Sequence, residues 1–433
     1  MYPVQLLNKL RESSGFIAKN SLSVSLRLLA IAFVFFPQRW LNENLSSEVF
    51  AQVNVSLSVI GVVMGILTLG VPQLLHRVYT HMAHTPERDM IWSSLAGLRV
   101  VSFVPGLVLV ALASLFGWAD LEVLILLYVP AFLFLTDVAF RSIVDSDNRS
   151  WQYSFTDLCS KAVLNLGLFW AAVQVPVVSQ WPDFYKYAFA LFLSAVTAVG
   201  LDLLLQRKHY RFVRPSVAYL RRVRPTIVYL GMTGFLVGAF LTTDKIFLES
   251  YGAGDNAING YSNAYKLFEV AVVVPGITMP VLASTVIKRI RGSAAGEQRV
   301  TLRRYLMTTL GVGFGVALGF AALGPWVLSL IDPAGNYIQI SRVALWTLTP
   351  AVILNFGVTF LAHMFVLSGH DKQEMKVQTR NLLFALLTYG VLIYFFSYVG
   401  AAVSTILIYL FDLVQRYYMF FAAREKLELQ WEE

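Results

Sequence analysis

The chain of 433 residues is 57% hydrophobic, has a mean hydropathy of +0.62 and carries only 14% charged residues, against about 45–50% apolar and about 25% charged in a soluble domain. This composition excludes a soluble globular protein and sets the class as an all-α polytopic membrane protein. The formal charge of +8 does not point to nucleic acid, because the basic residues fall in short loops between apolar stretches, the positive-inside pattern of membrane insertion.

In chain order, Met1–Lys19 is mildly amphipathic and lacks an A-x-A-like cleavage site, so it reads as a cytoplasmic surface helix and not as a cleaved signal. Apolar segments of bilayer length then follow at about 17–37, 48–74, 90–117, 121–142, 151–176, 184–206, 226–248, 257–286, 304–330, 341–368, 379–397 and 399–421. The last two are joined by a tight turn around Tyr398–Gly400, and the longest outer loop, around Gln38–Ser47, has only about ten residues. About twelve transmembrane helices are therefore expected. With the N-terminus inside, 25 of the 34 Lys and Arg fall in cytoplasmic segments, against four (Arg39, Lys186, Lys245 and Arg342) on the opposite face. That split places both termini in the cytoplasm. The single cysteine, Cys159, allows no intramolecular disulfide.

The most basic loop, Arg207–Arg224, separates two similar halves. Ser47-Glu48-Val49-Phe50-Ala51 opens span two, which runs to Leu69-Gly70-Val71-Pro72. Asn256-Ala257-Ile258-Asn259-Gly260-Tyr261 opens span eight, which runs to Thr278-Met279-Pro280, at an offset of about 208. A repeat of six spans in the same orientation predicts two pseudo-symmetric six-helix lobes with a site between them. The expected division is 1–206 for the first lobe, 207–225 for a basic cytoplasmic linker and 226–433 for the second lobe.

A guanidinium at mid-bilayer depth costs about 3 to more than 10 kcal/mol, so Arg27 in the middle of span one and Arg99 in span three must face protein, water or a charged ligand. Neither has an acidic residue at i±3 or i±4, which leaves a ligand or another span, such as one carrying Asp157 or Asp202, to neutralise it. The other mid-span charges come as pairs on one helix face: Asp157 with Lys161, Lys266 with Glu269, and Asp412 with Arg416. Asp137 and Arg141 form a similar pair at a cytoplasmic end, where mutual neutralisation suffices. His76, His81 and His84 bunch in a loop with no nearby cysteine and read as solvated, not as a metal site. His363 reads as a satisfied interior histidine. Proline and glycine within the spans, such as Pro72, Pro105, Pro350 and Gly311-x-Gly313-x-Gly315, suit helices that bend and slide. No phosphate-binding P-loop occurs.

The run Asp244-Lys245-Ile246-Phe247-Leu248, the loop Tyr251-Gly252-Ala253-Gly254-Asp255 and then Gly260-Tyr261-Ser262-Asn263-Ala264-Tyr265-Lys266-Leu267 resemble the signature of Wzx-type polysaccharide flippases of the MOP exporter superfamily. The first half follows the same outline but has Ala51 where that family usually has glycine. The resemblance implies a non-enzymatic bacterial inner-membrane protein that works by alternating access as a monomer. Its cargo would be an undecaprenyl-pyrophosphate-linked oligosaccharide for O-antigen, capsule or exopolysaccharide assembly, with H⁺ or Na⁺ as coupling ion and a polysaccharide polymerase as a working partner. No cofactor and no metal are implied. Lys266 and Asp244 fall on the family's recurring Lys and Asp positions.

A pyrophosphate cargo needs a hydrated path lined by cations, and arginine offers a bidentate fork to phosphate oxygens. Arg27, Arg99, Lys161 and Lys266 are accordingly expected to project into one central space, with Asp157, Asp244, Glu269 and Asp412 as coupling or gating acids. Three rival readings make other demands on the sequence. A drug/cation antiporter of the same superfamily would want an acidic or aromatic cavity. A membrane polysaccharide polymerase or glycosyltransferase would need a long extracytoplasmic loop with catalytic groups. A ligase- or scaffold-type protein would not need a charged interior.

Overall fold

The computed structural model of the protein describes residues 25–26, 29–30, 32–72, 74–75, 86–146, 150–172, 182–207, 211–290, 295–368 and 370–422. Among them the regular structure is helical. The helices are α1 (Phe35–Asn44), α2 (Ser47–Thr68), α3 (Pro86–Val101), α4 (Phe103–Leu115), α5 (Leu121–Ser146), α6 (Ser150–Ala172), α7 (Asp183–Gln206), α8 (Val217–Ser250), α9 (Asp255–Ile290), α10 (Ala295–Ile331), α11 (Ile338–Leu367) and α12 (Asp371–Tyr417), followed by a π turn over Tyr418–Ala422. Seven helical stretches among these residues are long and apolar enough to cross a membrane. The protein is thus an all-α, multi-pass membrane protein.

The expected spans map onto these helices with three instructive differences. Span three is two helices, α3 and α4, separated at Ser102. Pro105 has no N–H to give to the Val101 carbonyl one turn back, so the ladder cannot run through; the Ser102 hydroxyl instead donates to the Arg99 carbonyl at 2.6 Å. Spans eleven and twelve are one assigned helix, α12, broken at Ser397, whose φ of 49° lies in the left-handed region. The outer loop expected around Gln38–Ser47 is mostly helix. α1 runs to Asn44, because Trp40 and Leu41 are buried, Trp40 stacks 6.5 Å from Tyr187, and Arg39 and Glu43 pair at i,i+4.

Two compact units form. Unit 1 comprises 1–45, 67–115 and 120–228; unit 2 comprises 46–66, 116–119 and 229–433. In unit 1, α7 packs against both α5 and α6. Ala190, Ser194, Ala195 and Ala198 are buried on α7, so small side chains let the backbones approach, as membrane helices do where no hydrophobic effect drives packing. In unit 2, α11 is the central helix, packed by α9, α10 and α12. Leu345, Leu348, Ala351, Val352, Phe356 and Phe360 are fully buried on it, which is why it is apolar all round.

All but the last two residues of α2 belong to unit 2, and the helix lies directly against α8. A β-carbon at Gly65 would come within 3.3 Å of the Phe235 Cα, and one at Gly238 within 3.4 Å of the Gly65 Cα. The start of α2 also meets the start of α9 through polar side chains. The Ser47 hydroxyl donates to Asn256 Oδ1 at 3.1 Å, the Asn54 amide to Asn259 Oδ1 at 3.1 Å, and the Asn259 amide to the Ser47 carbonyl at 2.9 Å. These pairs are 205 to 212 residues apart, bracketing the offset of the sequence repeat. The Asn54 amide is satisfied by Asn259, whose own amide turns to Ser47, and these bonds hold the helix starts together. Asn259→Leu leaves the Asn54 amide unpaired and is expected to cost about 1–3 kcal/mol. An unchanged melting temperature of the purified variant would refute that role.

α2 ends at Thr68, where Leu69 (φ 50°) and Gly70 (φ 63°) are both left-handed. Glycine adopts this conformation freely; Leu69 does not. The break falls beside residue 67, where the chain passes from unit 2 to unit 1.

Candidate functional site

Three polar clusters occupy the helix interiors. In unit 2, α8 supplies Asp244 and Lys245, and α9 supplies Tyr261, Tyr265, Lys266 and Glu269. Asp244 is fully buried. Its Oδ2 accepts a hydrogen bond from the Tyr261 hydroxyl at 2.6 Å, and its Oδ1 accepts the Lys245 backbone N–H at 2.8 Å. The Lys245 ammonium lies 5.2 Å over the Tyr265 ring and within electrostatic reach of Glu269, Asp244 and Lys266. Lys266 pairs with Glu269 at 2.8 Å, yet these two side chains stay 38% and 45% exposed. Tyr261, Tyr265 and Phe268 follow the i, i+4, i+7 face of α9 with ring centroids 5.6 and 5.5 Å apart. Tyr409 of α12 closes on Phe268 at 6.1 Å. Lys245 thus lies over an aromatic wall, and beside it the Lys266 ammonium stays half-open.

In unit 1, Lys161 and Asp157 pair at 3.0 Å on α6, 26% and 24% exposed. Behind them α5 and α7 bring Asp137 and Asp202 together. Both are buried and lie close enough to act on each other electrostatically. Thr156 donates to Asp202 Oδ1 at 2.8 Å, and Tyr153 lies near Asp137.

The third cluster is closed. Arg416 on α12 is fully buried. Its Nε donates to Asp412 Oδ1 at 2.6 Å and its Nη2 to Glu374 Oε1 at 2.7 Å, while Nη1 bonds Glu374 Oε2. Phe365 lies beneath the guanidinium at 5.6 Å, and the Gln378 amide donates to Glu374 at 2.9 Å. Every polar edge of this arginine is committed to the protein.

Of the residues singled out in the sequence, Asp244, Lys266 and Glu269 meet in one place, Asp157 and Lys161 lie in unit 1, and Asp412 belongs to the closed cluster. Arg99 stands apart, 2% exposed, with Nη1 on the Leu67 carbonyl. Arg27, Arg141, His76, His81 and His84 lie outside the described residues or side chains, and His363 is half-buried with an interaction of its own. Sequence reasoning counted Lys245 among the outer-face charges at the end of span seven and not among the site residues, but it joins the unit 2 cluster. The adjacent Asp244 was the available signal, since a carboxylate at that depth needs donors. Nothing local marked Glu374 as the partner of Arg416, 42 residues away. Among the described residues, no three His, Cys, Asp or Glu side chains gather to hold a metal.

The fold is that of the MATE transporters. The structure superposes on an inward-facing multidrug resistance MATE family transporter of the MOP superfamily with a TM-score of 0.68 at 14% identity, covering 93% of this chain and 98% of that one. A mutant MATE transporter from Vibrio cholerae gives 0.67 at 10% identity, covering 94% and 96%. A MOP superfamily transporter from Pyrococcus furiosus, described as having a binding pocket of reverse polarity that suggests a different function, gives 0.64 at 14% identity, covering 93% and 96%. No family model and no curated protein matches the sequence. At these identities the likeness establishes the two-lobed architecture, on which different cargoes are carried by different sites.

Proposed function

We propose that the protein is a flippase that moves an undecaprenyl-pyrophosphate-linked oligosaccharide across the bacterial inner membrane by alternating access, for O-antigen, capsule or exopolysaccharide assembly. The observation that carries this reading is the half-open Lys266. Its carboxylate partner tethers the ammonium without enclosing it, so an incoming phosphate can compete for it. A closed ion pair such as Arg416 with Glu374 offers no such opening. Lys161 stands in the same state in unit 1, and Lys245 adds a second ammonium beside Lys266. Arg27 would add a bidentate contact to the pyrophosphate, and Asp157, Asp244 and Glu269 would trade their cations for protons or ions as cargo binds.

The test is a leaflet-resolved flipping assay in proteoliposomes with a defined undecaprenyl-pyrophosphate oligosaccharide. Wild-type protein is expected to flip it. Lys266→Ala, which loses a charge-assisted hydrogen bond of about 1.5–3 kcal/mol, is expected to weaken cargo binding about ten- to a hundredfold with the protein still folded. Lys266→Arg should keep part of the activity. A wild-type protein that ignores this lipid would overturn the reading.

The buried pair Asp137 and Asp202 favours a second reading, a proton-coupled drug or cation antiporter of the same fold. Extrusion of a lipophilic cation in the same vesicles, abolished by Asp202→Asn, would establish that alternative.

A further inference from the structure

We propose that the linker segment 211–216 and the first turns of α8 form, in unit 1, a binding surface for anionic phospholipid. The surface does not depend on which cargo the protein moves.

The starting point is charge. Residues 207–224 contain seven Lys and Arg and no Asp or Glu. Arg207, Arg211, Arg214, Arg221, Arg222 and Arg224 are all exposed, and none of them forms an ion pair among the described residues. Membrane insertion accounts for a bias of cations toward one face. That bias acts while the chain enters the bilayer and does not require the cations to be held in place afterwards. Here they are held.

The backbone of 211–216 is strapped along α3. The N–H groups of Arg211, Val213 and Ser216 donate to Asp89 Oδ1, Ser93 Oγ and Ser94 Oγ at 3.3, 2.9 and 2.8 Å. Ser93 and Ser94 are buried, and the Ser94 hydroxyl is itself fixed by donating to the Met90 carbonyl at 2.7 Å. The Pro215 ring lies by Gly97, where a β-carbon would touch it at 3.5 Å. Asp89 thus spends Oδ1 on backbone and leaves the Arg211 guanidinium free. With the backbone turned to α3, Arg211, Phe212, Val213 and Arg214 all display their side chains outward.

The apolar members decide the kind of partner. Phe212 and Val217 are 68% and 69% exposed among these arginines. Nucleic acid or an acidic protein would match the cations and leave those two side chains in water, whereas the boundary between headgroups and acyl chains takes both. The level also agrees. Val217, Arg221, Arg224 and Val228 recur at helical spacing on one face of α8, and all four are exposed. Cations give way to lipid-facing valine within one turn. On α7, the exposed Leu203 and Leu204 come one turn before Arg207. The arginines therefore stand where the lipid-facing surface begins, at the depth of the phosphates, and basic clusters of this size beside a span attract anionic lipid.

The experiment is native mass spectrometry of the full chain in uncharged detergent, offered phosphatidylglycerol and phosphatidylcholine in equal amounts. The second lipid has the same phosphate and acyl chains but no net charge. Wild type is expected to retain phosphatidylglycerol in preference. Arg214→Gln with Arg221→Gln and Arg224→Gln should cut that preference about tenfold or more, with an unchanged melting temperature because none of the three is paired. Arg299→Gln with Arg303→Gln and Arg304→Gln removes the same charge from exposed positions at the start of α10 and should keep the preference. An equal fall in both triple variants would overturn a dedicated surface, and so would a preference that the first triple variant keeps. High salt should erase the wild-type preference, a test that needs no substitution; a preference that survives it would refute the role of charge. An oligonucleotide retained by wild type without any preference between the lipids would refute the lipid.

Discussion

Replacing Glu374 with alanine will lower the stability of the protein by about 3–5 kcal/mol, among the largest losses available to a single substitution. The side chain lies at the start of α12, and its two oxygens take both terminal nitrogens of Arg416 near the end of the same helix. Without it, the guanidinium is left fully buried with Asp412 as its single charged partner. The net worth of the intact cluster is a separate quantity. Burying three charges is costly, and an apolar replacement of similar volume, Glu374→Leu with Asp412→Leu and Arg416→Met, is expected to recover most of the loss. Melting of the three proteins in detergent checks both statements. A Glu374→Ala variant that melts within a degree or two of wild type would show that the cluster holds nothing together.

Gly400→Ala is expected to be nearly as damaging, about 3 kcal/mol. A β-carbon there would collide with the Leu392 carbonyl and come within 2.9 Å of the Ile393 nitrogen. Backbone cannot swing aside as a side chain can, and the chain is already bent at Ser397. Gly311→Ala is the control. Nothing lies within 4 Å of that position, so alanine should be neutral or gain about 0.5–1 kcal/mol by restricting the unfolded chain. If both variants melt alike, steric exclusion at Gly400 is refuted.

These two sites mark the reach of sequence reasoning. The tight turn around Tyr398–Gly400 was visible because it interrupts an apolar run, and the Asp412–Arg416 pair because it follows helical spacing. The third member, Glu374, was not visible: no local period links residues brought together by the fold of α12 back along itself. The same holds for Asp137 and Asp202, which come from different helices and meet only when α7 packs between α5 and α6. Span three looked continuous because hydropathy averages over the Ser102 break, although Pro105 carried the reason for it. Lys245 was passed over because its place near the outer end of span seven made it count as a loop-side charge, whereas its ammonium lies over Tyr265. The cluster of Asp244, Lys266 and Glu269 was legible as candidates, but their proximity was not.

The contact between the starts of α2 and α9 has a consequence of another kind. Residues at nearly equivalent positions of two repeats bond to each other, Asn54 with Asn259 and Ser47 with Asn256. This is the geometry of an isologous interface, in which a surface is its own complement. Such a surface requires only one invention. A six-helix chain carrying it can pair with a second copy of itself, and joining the copies end to end preserves the contact without a new one having to arise. Once both copies share a chain, each side can change alone: one asparagine pair remains matched, while Ser47 and Asn256 already differ.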